Sequence, residues 1–177
     1  MSGGSFKRMK EDVASMSTSR IQEPSIQRID GYFDDFKVGM VWRHKRGKTM
    51  GQLEVAFMAQ LMMNSAQGHF NDEAPEVARF GRKIAFGGFT AALVIGLAAQ
   101  DTASHAVEEL EVRSLKLLTP VFEGDSLYAA SEVLDLQADD GTRTGVATFR
   151  HYGFNQREEQ VCDIVRSVRL RLREEAA

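Results

Sequence analysis

Ala85-Phe-Gly-Gly-Phe-Thr90 runs directly into Ala91-Ala-Leu-Val-Ile-Gly-Leu-Ala-Ala99, and this stretch decides the fold. Residues 89–99 are apolar on every side of a helical projection, which predicts a helix buried all round rather than one lying on a surface. Just upstream, a helical segment from about Gln52 ends in Asn64-Ser-Ala-Gln-Gly-His69. Polar groups at the end of one helix and a Gly-Gly pair at the start of the next make a place where a water and a carbonyl are held together.

Going outward toward the N-terminus, Leu53, Phe57 and Leu61 recur every fourth residue, the spacing of a buried helical stripe. Gln60, Asn64 and Gln67 form a second, polar stripe, so Asn64 also reads simply as part of a solvated face. A short strand is expected at residues 40–44, with a turn at Arg46-Gly47. Between the two helices, residues 70–83 read as a charged connection with a short helix at 76–80; loops beside a site often carry specificity.

Toward the C-terminus the period changes to two. Leu110 and Val112 alternate with polar residues, and Leu115 and Leu117 do so in the opposite phase, a slip that predicts a β-bulge near Arg113-Ser114. Strands follow over 126–137, 143–154 and 161–172. Asp139-Asp140-Gly141 marks a hairpin turn, and turns are expected at 123–125 and 155–159. In the last strand Val168, Leu170 and Leu172 alternate with Arg169, Arg171 and Arg173, giving one core face and one basic, solvated face. The outcome is an α+β domain in which one helix packs across a long antiparallel meander.

The 177 residues suit a single domain, here 31–177, preceded by a Ser-, Gly- and charge-rich extension over 1–30. That extension has no signal-peptide apolar core, and the apolar helix falls short of the ~20 residues a membrane span needs. A net charge of −3 without a basic run argues against nucleic acid as a partner. The lone Cys162 forms no internal disulfide and reads as a quiet buried thiol, which suits a reducing cytoplasm.

Taken in order, Gly31-Tyr-Phe-Asp-Asp-Phe-Lys-Val-Gly39, the helix into His69, Arg82-Lys-Ile-Ala-Phe-Gly-Gly-Phe-Thr90, Thr119-Pro-Val-Phe-Glu-Gly-Asp125 and Asn155-Gln resemble the MaoC-like dehydratases. The likeness covers residues 31–172. It implies a hot-dog fold, a curved antiparallel sheet wrapped around the apolar helix, assembled as a homodimer or higher homo-oligomer. It also implies a hydratase or dehydratase that interconverts enoyl-CoA and 3-hydroxyacyl-CoA, or the corresponding acyl carrier protein thioesters, with no cofactor and no metal. The family's Asp-x-Asn-Pro-(Ile or Val)-His pattern falls on residues 64–69. His69 matches, whereas Asn64 replaces the Asp, Ala66 the Asn and Gln67 the Pro; Phe86 stands where a His commonly precedes the family's Gly.

Hydrating an α,β-unsaturated thioester needs a base for water, an acid for the α-carbon and donors for the carbonyl oxygen. His69 suits both proton transfers. Asn64 holds the water or orients His69, and the Gly87 amide at a helix start polarises the carbonyl. Gly88 allows close approach of the thioester, and Phe86 lies beside it. Arg43, Lys45, Arg46, Arg82 and Lys83 are the cations available for coenzyme A phosphates, most of them also reading as ordinary surface charge. Asp72 and Glu73 read as loop charges rather than as a replacement carboxylate. A protein that binds acyl thioesters without turnover, or serves as a partner subunit, is the alternative raised by Asn64; a thioesterase is a further one.

Overall fold

A computed structural model describes residues 30–174; the expected extension lies outside these residues, Asp30 apart. After a 3₁₀ turn at Phe33–Asp35, strand β1 (Val41–Thr49) leads into helix α1 (Gln52–Leu61). A 3₁₀ turn at Gln67–His69, a short helix α2 (Pro75–Phe80) and the central helix α3 (Gly87–Thr102) follow. Four long strands complete the chain: β2 (Ala106–Leu117), β3 (Ser126–Ala138), β4 (Thr144–Asn155) and β5 (Gln160–Arg171). They form one antiparallel five-stranded sheet in the order β1-β3-β4-β5-β2. This is the hot-dog arrangement expected from the sequence, with α3 lying against one face of the sheet.

Two apolar clusters make the core, one between α3 and the sheet and one between the lead-in before β1 and the sheet. The first joins Val94, Leu97 and Ala98 of α3 to Val55, Leu127, Ala129, Val161 and Ile164. The second gathers Phe36, Trp42, Val133, Phe149, Val168 and Leu170. Cys162 is fully buried in the first cluster, and burial pushes its thiol up to about 12, as an inert core cysteine requires.

The phase slip in β2 is a bulge. Its pairing with β5 shifts between Arg113 and Lys116, and Ser114 takes a positive φ of 55°. The expected turn at Arg46-Gly47 is instead a bulge within a continuous β1, whose pairing with β3 shifts between Arg43 and Gly47. Gly47 is required there: a Cβ would lie 2.4 Å from the Tyr128 ring. α2 starts on a proline and ends at Gly81, φ 74°, which is the usual chemistry of a short helix in a connection.

Two helix readings need correction. In α1 the buried residues are Val55 and Ala59, while Leu53, Phe57 and Leu61 are 82%, 57% and 60% exposed. The apolar stripe exists, but it faces away from this domain's core; two residues along a helix is about 200° of rotation. α3 is likewise not buried all round, since Gly88, Ala92, Gly96 and Gln100 form an open line at four-residue spacing. It also continues past the apolar run to Thr102, so Asp101 belongs to the helix.

Two arginines of the expected basic face, Arg169 on β5 and Arg173 just beyond it, are partnered rather than merely solvated. Arg169 pairs with Glu108 and Asp139, and Arg173 with Asp30 and Asp35.

Candidate active site

His69 closes the 3₁₀ turn that follows α1, and its ring is half-buried. Its Nδ1 lies 2.7 Å from the carbonyl oxygen of Ile84. A carbonyl only accepts, so Nδ1 carries the proton and donates it, and in the neutral ring Nε2 keeps its lone pair. Ile84 is held firmly: its N–H donates to Gly68 O at 3.1 Å, the next amide, Ala85 N–H, donates to Val121 O at 2.8 Å, and Ile84 forms a β-bridge to Phe122. The imidazole is therefore aimed by backbone that is itself pinned on two sides.

From Ile84 the chain reaches the start of α3 in three residues. The Phe86 ring stands 6.0 Å from the His69 ring, edge to face. Phe86 is the N-cap, and its carbonyl accepts the Thr90 N–H at 3.0 Å. The first N–H groups of a helix, here those of Gly87, Gly88 and Phe89, have no acceptor within the helix, and no side chain caps this end. Phe86 packs back over Gly88, whose Cβ position would lie 2.7 Å from that ring. At Gly87 a Cβ would lie 2.2 Å from Leu117 Cδ1, so the side chain at the end of β2 forms a wall beside the first amide.

The other expected site residues are placed differently. Asn64 uses its Oδ1 to accept the Ala66 N–H at 2.9 Å, a local Asx turn. The bond that orients His69 comes from Ile84, not from Asn64. Lys83 is buried, with Nζ 2.5 Å from Asp72 and 3.4 Å from Glu123. The hydrogen bond to Asp72 holds the Lys83 pKa above its ordinary value against the opposing effect of burial. Its ammonium thus braces the connection to the turn before β3 instead of meeting a phosphate, and Asp72 is the partner of that cation rather than a carboxylate for His69. Arg82 lies over the Phe122 ring at 4.5 Å and reaches Asp125 at 3.5 Å. Arg43 pairs with Glu158, and Arg46 donates to the carbonyl of Gly96. Ile84 and Leu117 escaped the sequence reading. A backbone carbonyl carries no residue signature, and Leu117 read only as one of an alternating strand set.

Comparison with known proteins gives this geometry its setting. The family model described as mesaconyl-CoA hydratase matches residues 22–171. The chain belongs to this family of MaoC-like hot-dog dehydratases. It is 34% identical over 118 residues to the beta-methylmalyl-CoA dehydratase of Chloroflexus aurantiacus, covering 67% of this chain and 33% of that protein. It is 30% identical over 141 residues to the mesaconyl-CoA hydratase of Haloarcula marismortui, covering 73% of this chain and 39% of that protein. The chain therefore spans between a third and two-fifths of the length of these relatives. Among solved structures, a MaoC domain dehydratase from Chloroflexus aurantiacus superposes with a TM-score of 0.73 at 28% identity, over 81% of this chain and 45% of that one. The MaoC-like dehydratase of Rhodospirillum rubrum shares the fold at a TM-score of 0.69 and 21% identity, over 81% of this chain and 99% of that one. Among the described residues of this chain, no helix is long and apolar enough to cross a membrane.

Proposed function

We propose that this domain hydrates and dehydrates an α,β-unsaturated acyl-CoA thioester, with a branched, mesaconyl-type acyl group as its substrate. One observation carries the reading: the imidazole of His69 is fixed through Nδ1 to the carbonyl of Ile84, three residues before the uncapped start of α3, with Nε2 left as a base. The names of the relatives support the thioester and the branched acyl group.

In hydration, Nε2 of His69 takes a proton from water while the water oxygen bonds to the β-carbon. The electron pair of the double bond moves toward the thioester carbonyl, and the Gly87 N–H, helped by the helix dipole, holds the charge on that oxygen. The imidazolium then returns a proton to the α-carbon, so one water is added and His69 ends as it began. Dehydration runs the same steps backward. Asn64 positions the water, Phe86 and Gly88 bound the acyl group, and Arg82 lies at the margin of the site.

Leu117 makes the carbonyl corner testable. Gly87→Ala places a methyl group against Leu117 Cδ1 while keeping the amide, and should lower kcat/KM about tenfold, roughly 1.4 kcal/mol of transition-state binding. Adding Leu117→Ala removes the obstruction and should restore most of the loss. A double variant as impaired as Gly87→Ala alone would show that Leu117 is not the wall of this corner.

A second reading is favoured by Asn64, which does not titrate, together with the engagement of Asp72 by Lys83. In it the domain binds the thioester and a second hot-dog domain performs the chemistry. Loss of the enoyl-thioester absorbance on mixing with mesaconyl-CoA or crotonyl-CoA separates the two. Turnover by the natural sequence, raised about tenfold or more by Asn64→Asp, supports the hydratase. Silence in the natural sequence with activity in Asn64→Asp supports the binding role.

The exposed stripe Leu53, Phe57 and Leu61, with the open edge of β2, provides the surface on which a second copy of this chain docks to form a homodimer, a feature common to both readings. Light scattering should then give about twice 19.7 kDa, and Phe57→Glu should shift the mass toward the monomer.

A further inference from the structure

A line of polar side chains crosses the inner face of the sheet between the two apolar clusters, where hydrocarbon would be the ordinary filling. It starts at Asp101 on α3, whose carboxylate is 2.6 Å from His44 Nδ1 on β1. His44 Nε2 lies 2.7 Å from Ser131 Oγ on β3, and Ser131 Oγ lies 2.7 Å from His151 Nδ1 on β4. On β5, Arg166 meets Glu109 of the edge strand β2 through Nε at 2.8 Å and through Nη2. His44, Ser131, His151 and Arg166 are all more than nine-tenths buried. The line breaks at one place, because His151 Nε2 and Arg166 Nη1 are buried and have no hydrogen-bond partner.

The direction of the protons follows from the ends. The Asp101 carboxylate only accepts, so His44 Nδ1–H donates to it. With His44 neutral, its Nε2 accepts from the Ser131 hydroxyl, the Ser131 oxygen accepts from His151 Nδ1–H, and His151 Nε2 is left as a bare lone pair. Reversing the hydroxyl requires a charged His44 and puts an N–H on His151 Nε2 beside a guanidinium, two donors with nothing to accept them. Burial, with the Arg166 guanidinium nearby, pushes His151 down to about 3, so the neutral ring is the stable one at ordinary pH.

The two unpartnered atoms belong to neighbouring side chains of the sheet's inner face. His151 opposes Ile164 and Phe149 opposes Arg166 across the β4–β5 ladder, so His151 and Arg166 are diagonal neighbours on the same face. Glu109 occupies the Nε and Nη2 edge of the guanidinium, which turns Nη1 away from β2. A buried polar atom without a partner costs about 1–3 kcal/mol. A water that accepts from Nη1 and donates to Nε2 satisfies both atoms, and two to four polar partners are what an internal water needs.

We propose that a closed site between His151 and Arg166 holds one internal water molecule, which joins Asp101 to Glu109 in a continuous line of hydrogen bonds from the central helix to the sheet edge. The site is separate from His69 and does not depend on the reading of its chemistry.

The test begins with the natural protein. A high-resolution crystal structure, with a bromide-soaked crystal beside it, should show one density peak within hydrogen-bonding distance of both atoms and no bromide signal. Proton–nitrogen correlation spectra of the histidine side chains should show His151 as the Nδ1–H form from about pH 5 to about pH 8. Water relaxation dispersion should count one fewer long-lived internal water in Arg166→Met and in His151→Phe than in the natural chain. Direct contact between Nε2 and Nη1 with no density between them, a proton on His151 Nε2, or bromide in the site would each overturn the proposal. Because the density and the spectra need no substitution, failure of either variant to fold leaves the test intact.

Discussion

Replacing His69 with alanine is expected to lower the rate of enoyl-CoA hydration by about a hundred- to ten-thousand-fold, the range over which a positioned general acid–base group contributes. In the proposed mechanism the imidazole handles only the proton transfers and the acyl group is left to Phe86, Gly88 and the amide of Gly87, so the loss should fall on kcat. The fold should survive. His69 is only half-buried, and its bond to Ile84 O is one of the modest hydrogen bonds worth about 1 kcal/mol. His69→Asn sharpens the test, because the Asn side-chain amide can still donate to Ile84 O but has no basic nitrogen. It should stay folded and stay slow. Near-normal turnover by His69→Asn would remove His69 from the proton transfers and leave it as a strut for the loop.

The parts of this protein that were legible in the sequence are those where one local pattern has one physical meaning. An apolar run opened by Gly-Gly makes the central helix. The phase slip around residues 113–114 makes a bulge, because period-two alternation cannot change face without an extra residue. Asp139-Asp140-Gly141 makes the β3–β4 turn, with Gly141 at φ 71°. The stripe of Leu53, Phe57 and Leu61 was legible as apolar but not as outward-facing, since periodicity reveals a face and not what covers it. Lys83 read as a surface cation because its burial depends on Asp72 and Glu123, one of them 40 residues downstream. The polar line through His44, Ser131, His151 and Arg166 was invisible for a related reason. Each residue is unremarkable within its own strand, and only the register of four strands sets them in a row.

The second large effect is expected at Asp125, in the turn that leads into β3. Its side chain is fully buried and receives hydrogen bonds from Phe122 N–H at 3.0 Å, Gln156 at 2.9 Å and Arg157 at 3.1 Å, with Arg82 at 3.5 Å. Burial alone would raise its pKa; the bonds from Gln156, Arg157 and the Phe122 amide outweigh it and hold the carboxyl below the ordinary value. Asp125→Ala strands one buried backbone donor and removes the anion from two arginines that remain partly solvated, so about 3 kcal/mol of stability should go. For a domain of this size that is a fall in Tm of roughly 10 °C. The pH dependence has a definite sign. A carboxyl with a lowered native pKa contributes stability that is complete above the unfolded value of about 4 and disappears as pH falls through the native one. The natural protein should therefore lose stability on acidification below about pH 4, and the difference between it and Asp125→Ala should shrink over the same interval. The change also reaches the site, because Ala85 N–H is bound to Val121 O at the other end of this turn. Loosening the turn frees the segment that carries Ile84 O and the start of α3. Activity in Asp125→Ala, measured well below its Tm, should fall along with stability; full activity there would mean that the Ile84–Gly68 bond alone holds the imidazole in place.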